Sequence, residues 1–512
     1  MEKNNASAMG GYIQLPICDK TVTTELSDDF TLPDYQPEIK RLLKVTAKVM
    51  PPSRYISDRQ AEFAGGIDYY VLYVGSDNCL YCAPISAEYK VDVPLDCCDG
   101  DGESYLCNLS GSAVSAPDMI NGRVTAPRKL SIKCRLRTRA RIFGDLPIED
   151  GLDMGDGDMQ ILSGNACAVR RIWGGGEMLR LTDEMICDNR EGDVRVVMAE
   201  GQVMMSEISP AQGSVTCRGE VYLKLLLCRE DGGMPYTVMR KLPFSQSIAI
   251  NGADPASKAS ATGTVSELGI TVEDGRISTE LGILNEVECC VNERVAYVKD
   301  VYSSTRNTEC KYRKREVPSY GESVGGNFTL SDSAPIEEVG ITSGSRVIDV
   351  WGNATIEGGE QDGGKCSVSG KAKMSLLLEK DGEYSSVDME LPFNYKCPVS
   401  GAFTSVMMNC TVASARARMD GERVGVDAEV YLGGHVSACK DELMLTRVEL
   451  SEAREKERGE VVIYYPAGDD SLWSAAKRYG VPFEAVAQRN GLSSELPPDS
   501  LESLGGKKYL IV

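Results

Sequence analysis

The chain has 512 residues, 42% hydrophobic and 26% charged, which is enough apolar material for several cores. Its net charge of −21 excludes the clustered Lys and Arg surface that nucleic acid requires, and equally a polybasic membrane contact. Aromatic residues are sparse at 6%, while 51 glycines point to frequent turns and a β-rich chain.

The first twenty residues, "MEKNNASAMGGYIQLPICDK", contain neither a basic n-region nor an apolar h-region. No signal peptide or membrane span is expected, and a cytoplasmic location follows. The eighteen cysteines are irregularly spaced and read as small buried hydrophobes. Cys79-Leu80-Tyr81-Cys82, followed by Cys97-Cys98, is the only grouping with a metal-like spacing. Its second half lacks a C-x-x-C, and no helix start follows Cys82, so structural cysteines are expected and no metal or cofactor.

From Gly65 onward the chain repeats itself at about 150 residues. "GGIDYYVLYV" from Gly65, "GEVYLKLLLC" from Gly219 and "GKAKMSLLLE" from Gly370 each read as a glycine starting an alternating strand. Each strand ends in an apolar triplet: Val71-Leu72-Tyr73, Leu225-Leu226-Leu227 and Leu376-Leu377-Leu378. A second strand follows, with Pro94, Pro243 or Pro392, and proline belongs on edge strands because it donates no ladder bond. The glycines are expected to relieve a bulge or a close backbone approach.

Later in each copy come Asn121-Gly122, Asp274-Gly275 and Asp420-Gly421, which read as hairpin turns. The arginines after them (Arg123, Arg276, Arg423) are expected to be solvated or locally paired. A shorter echo precedes the copies, "DFTLPDYQPEI" from Asp29 and "NFTLSDSAPIEE" from Asn327, with "EMLRLTDEM" from Glu177 a weaker match. The fold class is therefore mainly β: three consecutive sandwich-like modules over residues 1–160, 161–310 and 311–449, each closing its own core.

Catalytic signatures are missing. The single histidine, His435, lies in a strand-like stretch beside two glycines, and a structural role is expected for it. "WGGGEML" at Trp173 does not fit a dinucleotide fingerprint, and no P-loop is present. The chain is expected not to be an enzyme.

"SEAREKERG" from Ser451 reads as a charged linker over 450–459. Beyond it, residues 460–512 change period. A strand over Val461 to Tyr465 ends at Pro466, and Asp470 or Ser471 can cap the next helix. Leu472, Ala475, Ala476 and Tyr479 form a buried stripe, and Gly480 supplies the left-handed stop. Trp473 lies beside that stripe, in the core or as a partner anchor. Pro482 suits the first position of a second helix, with Phe483, Val486 and Ala487 facing inward and Gly491 ending it. A last strand starts at Lys508, giving the order β-α-α-β.

This segment resembles a LysM domain through "DSLWSAAKRYG", Asn490-Gly491 and "GKKYLIV". It departs from the family in the two aspartates between Gly468 and Ser471. The preceding repeats, through "DDFTLPDYQPEIKRLLKVTAKV" and the Gly-strand-"LPF" blocks, resemble the SPOCS domain of spore-coat-associated proteins of endospore-forming Firmicutes. Together, three SPOCS-like modules and a terminal LysM domain resemble the SipL type of spore morphogenetic protein.

The resemblance implies an adaptor in sporulation and spore coat assembly. Its LysM domain would bind a SpoIVA-like coat ATPase, and through it other coat proteins, on the mother-cell side of the forespore surface. The alternative is peptidoglycan binding, with N-acetylglucosamine held in the same groove. The resemblance places either partner at Gly468, Asp469, Asp470, Ser471, Trp473, Asn490, Gly491 and Leu492. Asn490 could equally cap the second helix.

Overall fold

In a computed structural model of the chain, residues 11–95, 106–148, 158–186, 194–229, 233–273, 275–454, 461–493 and 496–512 are described. Alternating sequence becomes strand almost throughout. The first third forms β1 (Gly11–Thr31), β2 (Ile39–Val49), β3 (Ser53–Ile56), β4 (Gln60–Gly75), β5 (Leu80–Pro94), β6 (Cys107–Ala126) and β7 (Lys129–Ile148). These make two antiparallel sheets: β1-β7-β6, and β4 flanked by β5 on one edge and by β2 then β3 on the other.

The second third forms β8 (Met159–Ile186), β9 (Val194–Ala211), β10 (Ser214–Arg229), β11 (Tyr236–Ala249), β12 (Lys258–Glu273) and β13 (Arg276–Ser303). The last forms β14 (Arg306–Pro335), the single-turn α1 (Ile336–Val339), β15 (Arg346–Asp362), β16 (Lys365–Lys380), β17 (Glu383–Pro398), β18 (Ser405–Asp420) and β19 (Arg423–Ala453). Their sheets are β8-β13-β12 with β9-β10-β11, and β14-β19-β18 with β15-β16-β17. The same pair of sheets thus occurs three times in one strand order.

The repeated glycines lie in the middle of β4, β10 and β16, not at strand starts. Each is paired in register with an aromatic residue: Gly65 with Tyr89, Gly219 with Phe244, Gly370 with Phe393. A Cβ on Gly219 would stand 2.3 Å from the Met204 carbonyl oxygen and 2.9 Å from the Phe244 ring. On Gly370 it would stand 2.4 Å from the Thr355 oxygen and 2.5 Å from Phe393. The opposite neighbour bulges at this height in β9 and β15, where the register shifts beside Gly219 and Gly370. In the first unit Pro51 and Pro52 break the strand outright, separating β2 from β3. Pro94, Pro243 and Pro392 all lie on outer strands, β5, β11 and β17.

Two of the three hairpin turns fall where the sequence puts them, with Gly275 at φ 71° and Gly421 at φ 58°. Asn121-Gly122 is different: both residues lie inside β6, opposite Lys133 and Ile132, and the chain turns at Pro127-Arg128. Gly122 serves sheet packing instead. A Cβ there would be 2.5 Å from Val45 Cγ2.

Each unit has a core between its two sheets, such as Tyr69, Val71, Ile132 and Leu136 in the first. The units do not, however, close independently. Alternation turns Leu72, Leu226 and Leu377 outward from those cores, and all three meet in one shared cluster with Val197 and Trp351. This explains the continuous apolar triplets, since both faces of the central strand are covered. Burying each leucine contributes roughly 1.5–3 kcal/mol.

The neighbours are arranged cyclically: β5 lies against β9, β11 against β15, and β17 against β2. Equivalent arginines clasp each junction. Arg195 Nη2 donates to the Leu80 carbonyl at 2.9 Å, Arg346 Nη1 reaches Met234 Sδ at 3.1 Å, and Arg41 donates to the Tyr384 carbonyl. The three units therefore form a ring around a pseudo-threefold axis, closed by the third against the first.

Ser451 to Ala453 belong to β19, where Ala453 pairs with Arg306, so the expected linker at 450–459 begins as strand. The strand just before it carries exposed cross-strand charge pairs, such as Lys311–Glu449 at 3.0 Å. Residues 455–460 lie outside the described residues. The C-terminal segment follows as β20 (Ile463–Tyr464), α2 (Leu472–Tyr479), α3 (Phe483–Asn490), a 3-10 turn (Leu501–Leu504) and β21 (Leu510–Ile511), with β20 antiparallel to β21. Among the described residues no helix is long and apolar enough to cross a membrane.

Candidate docking face of the C-terminal module

α2 starts where Ser471 Oγ accepts the Ser474 amide at 3.1 Å while Ser474 Oγ accepts the Ser471 amide at 2.8 Å, a reciprocal cap. Gly480 and Gly491, at φ 63° and 60°, end the two helices. Leu472, Ala475, Ala476, Val486 and Ala487 are buried between the helices and the small sheet. Tyr479, expected in the same stripe, is 37% exposed and packs edge-on against Tyr464.

The expected groove residues divide into two sets. Asp470 accepts the Ala467 amide at 2.7 Å and the Tyr464 hydroxyl, which hold its carboxyl below the usual range. Ser471 is the cap just described. Asn490 Nδ2 donates to the Val486 and Ile511 carbonyls, and its Oδ1 accepts the Ile511 amide, all at 2.8 Å, so it fastens α3 to the last strand. Trp473 is 4% exposed. Its Nε1 donates to Asp300 Oδ2 at 2.8 Å and its ring meets Tyr302 edge-on at 4.9 Å, both on the end of β13. Gly468, Asp469 and Gly491 are exposed and Leu492 is half-buried. Of this second set Leu492 packs against the module's core, while Gly468, Asp469 and Gly491 make no side-chain hydrogen bond or ion pair among the described residues.

Asp300 is the anchor of the module. It also accepts Lys477 Nζ at 2.5 and 2.7 Å and the Tyr312 hydroxyl. Burial opposes its ionisation, but these donors win and keep its carboxyl below the ordinary value. Tyr302 completes the dock by donating to the Val481 carbonyl at 2.8 Å.

A surface that periodicity did not reveal lies on the other side of the small sheet. Val461, Ile463 and Tyr465 alternate outward, and Tyr509 and Ile511 stand beside them on the neighbouring chain segment. They are 72, 54, 70, 51 and 36% exposed, while the alternate residues Tyr464, Leu510 and Val512 are buried. Five neighbouring apolar side chains on a two-stranded face form an exposed apolar patch. The signal was present in "VVIYYP", where apolar residues fill both faces of the strand.

Two sequence candidates for chemistry resolve differently. Cys79 and Cys82 are free thiols raised by burial, Cys82 to about 12, which disfavours the thiolate that a metal or redox site needs. Cys97 and Cys98 lie outside the described residues. His435 is buried at the junction of all three units, near Arg141 of the first and Arg171, Glu288 and Cys290 of the second. Its Nδ1 is 2.8 Å from Ser260 Oγ and 3.8 Å from Glu288 Oε1.

Burial would raise the Glu288 carboxyl, but His435, Arg171 and Arg141 carry it down to about 2. Burial would lower His435, yet Cys290 and Glu288 raise it above its ordinary value. Glu288, Cys290 and His435 could converge on a metal ion, but Arg171 already bonds Glu288 and reaches Cys290 Sγ at 3.5 Å. A guanidinium takes the cation's place, so this set does not fit a metal.

In comparison with known families, residues 194–273 match the family model described as SipL, SPOCS domain. The matched segment covers β9 to β12, one complete sheet of the second unit and one strand of its other sheet. It supports a SipL-type, sporulation-related protein. No curated protein and no solved structure matches the chain.

Proposed function

We propose that this chain is a non-enzymatic adaptor of endospore coat assembly, acting at the forespore surface on the mother-cell side. Its ring of three SPOCS-like units is a rigid base, and the terminal LysM-like module carries the contact to a SpoIVA-like coat ATPase. The SPOCS match over 194–273 supports the sporulation context. The shared strand order of the other two units supports extending that description to them.

The observation that carries the adaptor reading is the outward apolar face of Val461, Ile463, Tyr465, Tyr509 and Ile511. Glycan readout in the groove would rest mainly on backbone groups and a few apolar contacts, so the internal roles of Asp470, Ser471 and Asn490 leave that alternative to the binding test. A protein partner is favoured by exposed aromatic and aliphatic anchors.

The test uses the full chain, offered the SpoIVA-like ATPase of the same organism and, separately, purified peptidoglycan fragments. ATPase binding that weakens at least about tenfold in Ile463→Glu/Tyr465→Glu, with unchanged circular dichroism, supports the reading. Saturable glycan uptake without ATPase binding refutes it.

A further inference from the structure

Next to the leucine cluster lies a cavity of about 450 Å³, walled by the same strands of each unit: β2, β9 and β15, faced by β6, β12 and β18. The layer at the leucines is closed by three identical side chains, Leu72, Leu226 and Leu377. The adjoining layers are not alike in this way. In register with Tyr70, Lys224 and Ser375 stand Thr46, Glu200 and Trp351. Two residues further along the same strands stand Lys48, Gln202 and Asn353. A junction that served packing alone would repeat apolar residues here, as it does one layer away.

Lys48 is the departure that matters. It lines the cavity and is half-buried, and its ammonium makes no hydrogen bond or ion pair among the described residues. Lost hydration disfavours its ammonium, and Glu200 and Asp68 restore only part of what burial removes. Asp68 is bonded to Ser86 at 2.6 Å, and Glu200 accepts the Gln202 amide at 2.6 Å. A half-buried ammonium that lines a cavity with no fixed acceptor keeps only part of its hydration, and a bound anion supplies the missing partner. Lys371 and Lys373 stand on the same wall but are paired with Glu357, Glu390 and Asp388, which leaves Lys48 as the lysine there without a carboxylate partner among the described residues.

We propose that this axial cavity binds a small organic carboxylate that carries its own hydrogen-bond donor, the chemistry of a hydroxy acid or an amino acid. The carboxylate is held by Lys48 Nζ, and the ligand's hydroxyl or ammonium donates to Glu200, with Tyr70 and Trp351 forming the walls. The cavity lies within the size range of small-molecule sites. Because units one and two supply Lys48 and Glu200, the ligand bridges two units, and its binding stiffens the ring. The site is distinct from the C-terminal face and stands whichever partner that face takes.

The experiment titrates the full chain calorimetrically with citrate, with L-glutamate and with inorganic phosphate, the last as a control for bare negative charge. One saturable site for citrate or glutamate is expected, weakened at least about tenfold in Lys48→Met and in Glu200→Gln. The melting temperature of ligand-free Lys48→Met should equal or exceed that of the parent, since a lysine kept for stability would lower it on removal. The proposal is overturned if neither carboxylate saturates below about 10 mM, if phosphate binds as well as they do, or if both variants retain the parent affinity. Should Lys48→Met fold poorly, Glu200→Gln alone decides.

Discussion

Asp300 gathers an indole N–H, an ammonium and a phenol on one carboxylate at the end of β13. Hydrogen bonds to a charged acceptor are worth more than neutral ones, and Trp473 donates from a buried position. Trp473→Phe keeps an aromatic ring in the site but removes the N–H together with part of the buried indole. A loss of about 1.5–3 kcal/mol is expected in urea denaturation followed through the C-terminal module. A loss under about 0.5 kcal/mol would mean that Lys477 and Tyr312 satisfy the carboxylate alone.

The charge cluster at the three-unit junction makes a separate prediction in pH. Glu288 ionises near 2 in the fold against about 4.3 in an unfolded chain, so its contribution is whole above about 4.3 and disappears as pH falls through about 2. His435 is raised, so its contribution is whole below about 6.5 and disappears as pH rises through its folded value. His435→Gln should therefore lower the unfolding midpoint more at pH 6 than at pH 9. An equal loss at both would place the histidine's role in shape and not in charge.

At the scale of elements, the glycine-aromatic pairs set strand geometry. Gly219→Ala should destabilise the chain by about 1–3 kcal/mol, because the new methyl meets the Met204 carbonyl, which is backbone and cannot swing aside. Gly65→Ala should cost less, since its nearest neighbours are ring atoms of Tyr89 at 3.1 Å. Thermal melts of the two variants decide, and reversed order would contradict the argument.

These elements were the most legible part of the sequence. Proline at an edge and glycine at a bulge are local requirements that any neighbouring strand would impose, so Pro243 and Gly219 read correctly without knowledge of the partner. Asn121-Gly122 misled because the same glycine can serve positive φ or close packing, and only Val45, on another sheet, decides which. Trp473 was ambiguous for the same reason. Its periodicity allowed either side of the helix, and the deciding atoms belong to β13, far away in sequence.

At the scale of the molecule, the leucine triplets join three units into one cooperative body. Leu226→Ala removes a side chain at the shared cluster and should cost about 2–5 kcal/mol. The loss should register equally at Trp173 of the second unit and Trp351 of the third, as one coincident fluorescence transition in single-tryptophan backgrounds. Two separated transitions would show that the units unfold independently. This sharing was invisible in the sequence because it joins residues such as Lys44 and Asp388, bonded at 2.6 Å across 344 positions.

The seam between β17 and β2 has a consequence for how the chain is made. A ribosome delivers the first unit long before the third, and until then the outer edge of β2 faces water. Every junction in the ring pairs one kind of edge with another, so a chain that stops after its second unit carries two complementary ends and nothing to join them within itself. Such ends fit between molecules, and because the junctions close after three units, a neighbour's unit matches the open place. The third unit thus covers, within one molecule, the edges that a shorter chain would offer to its neighbours.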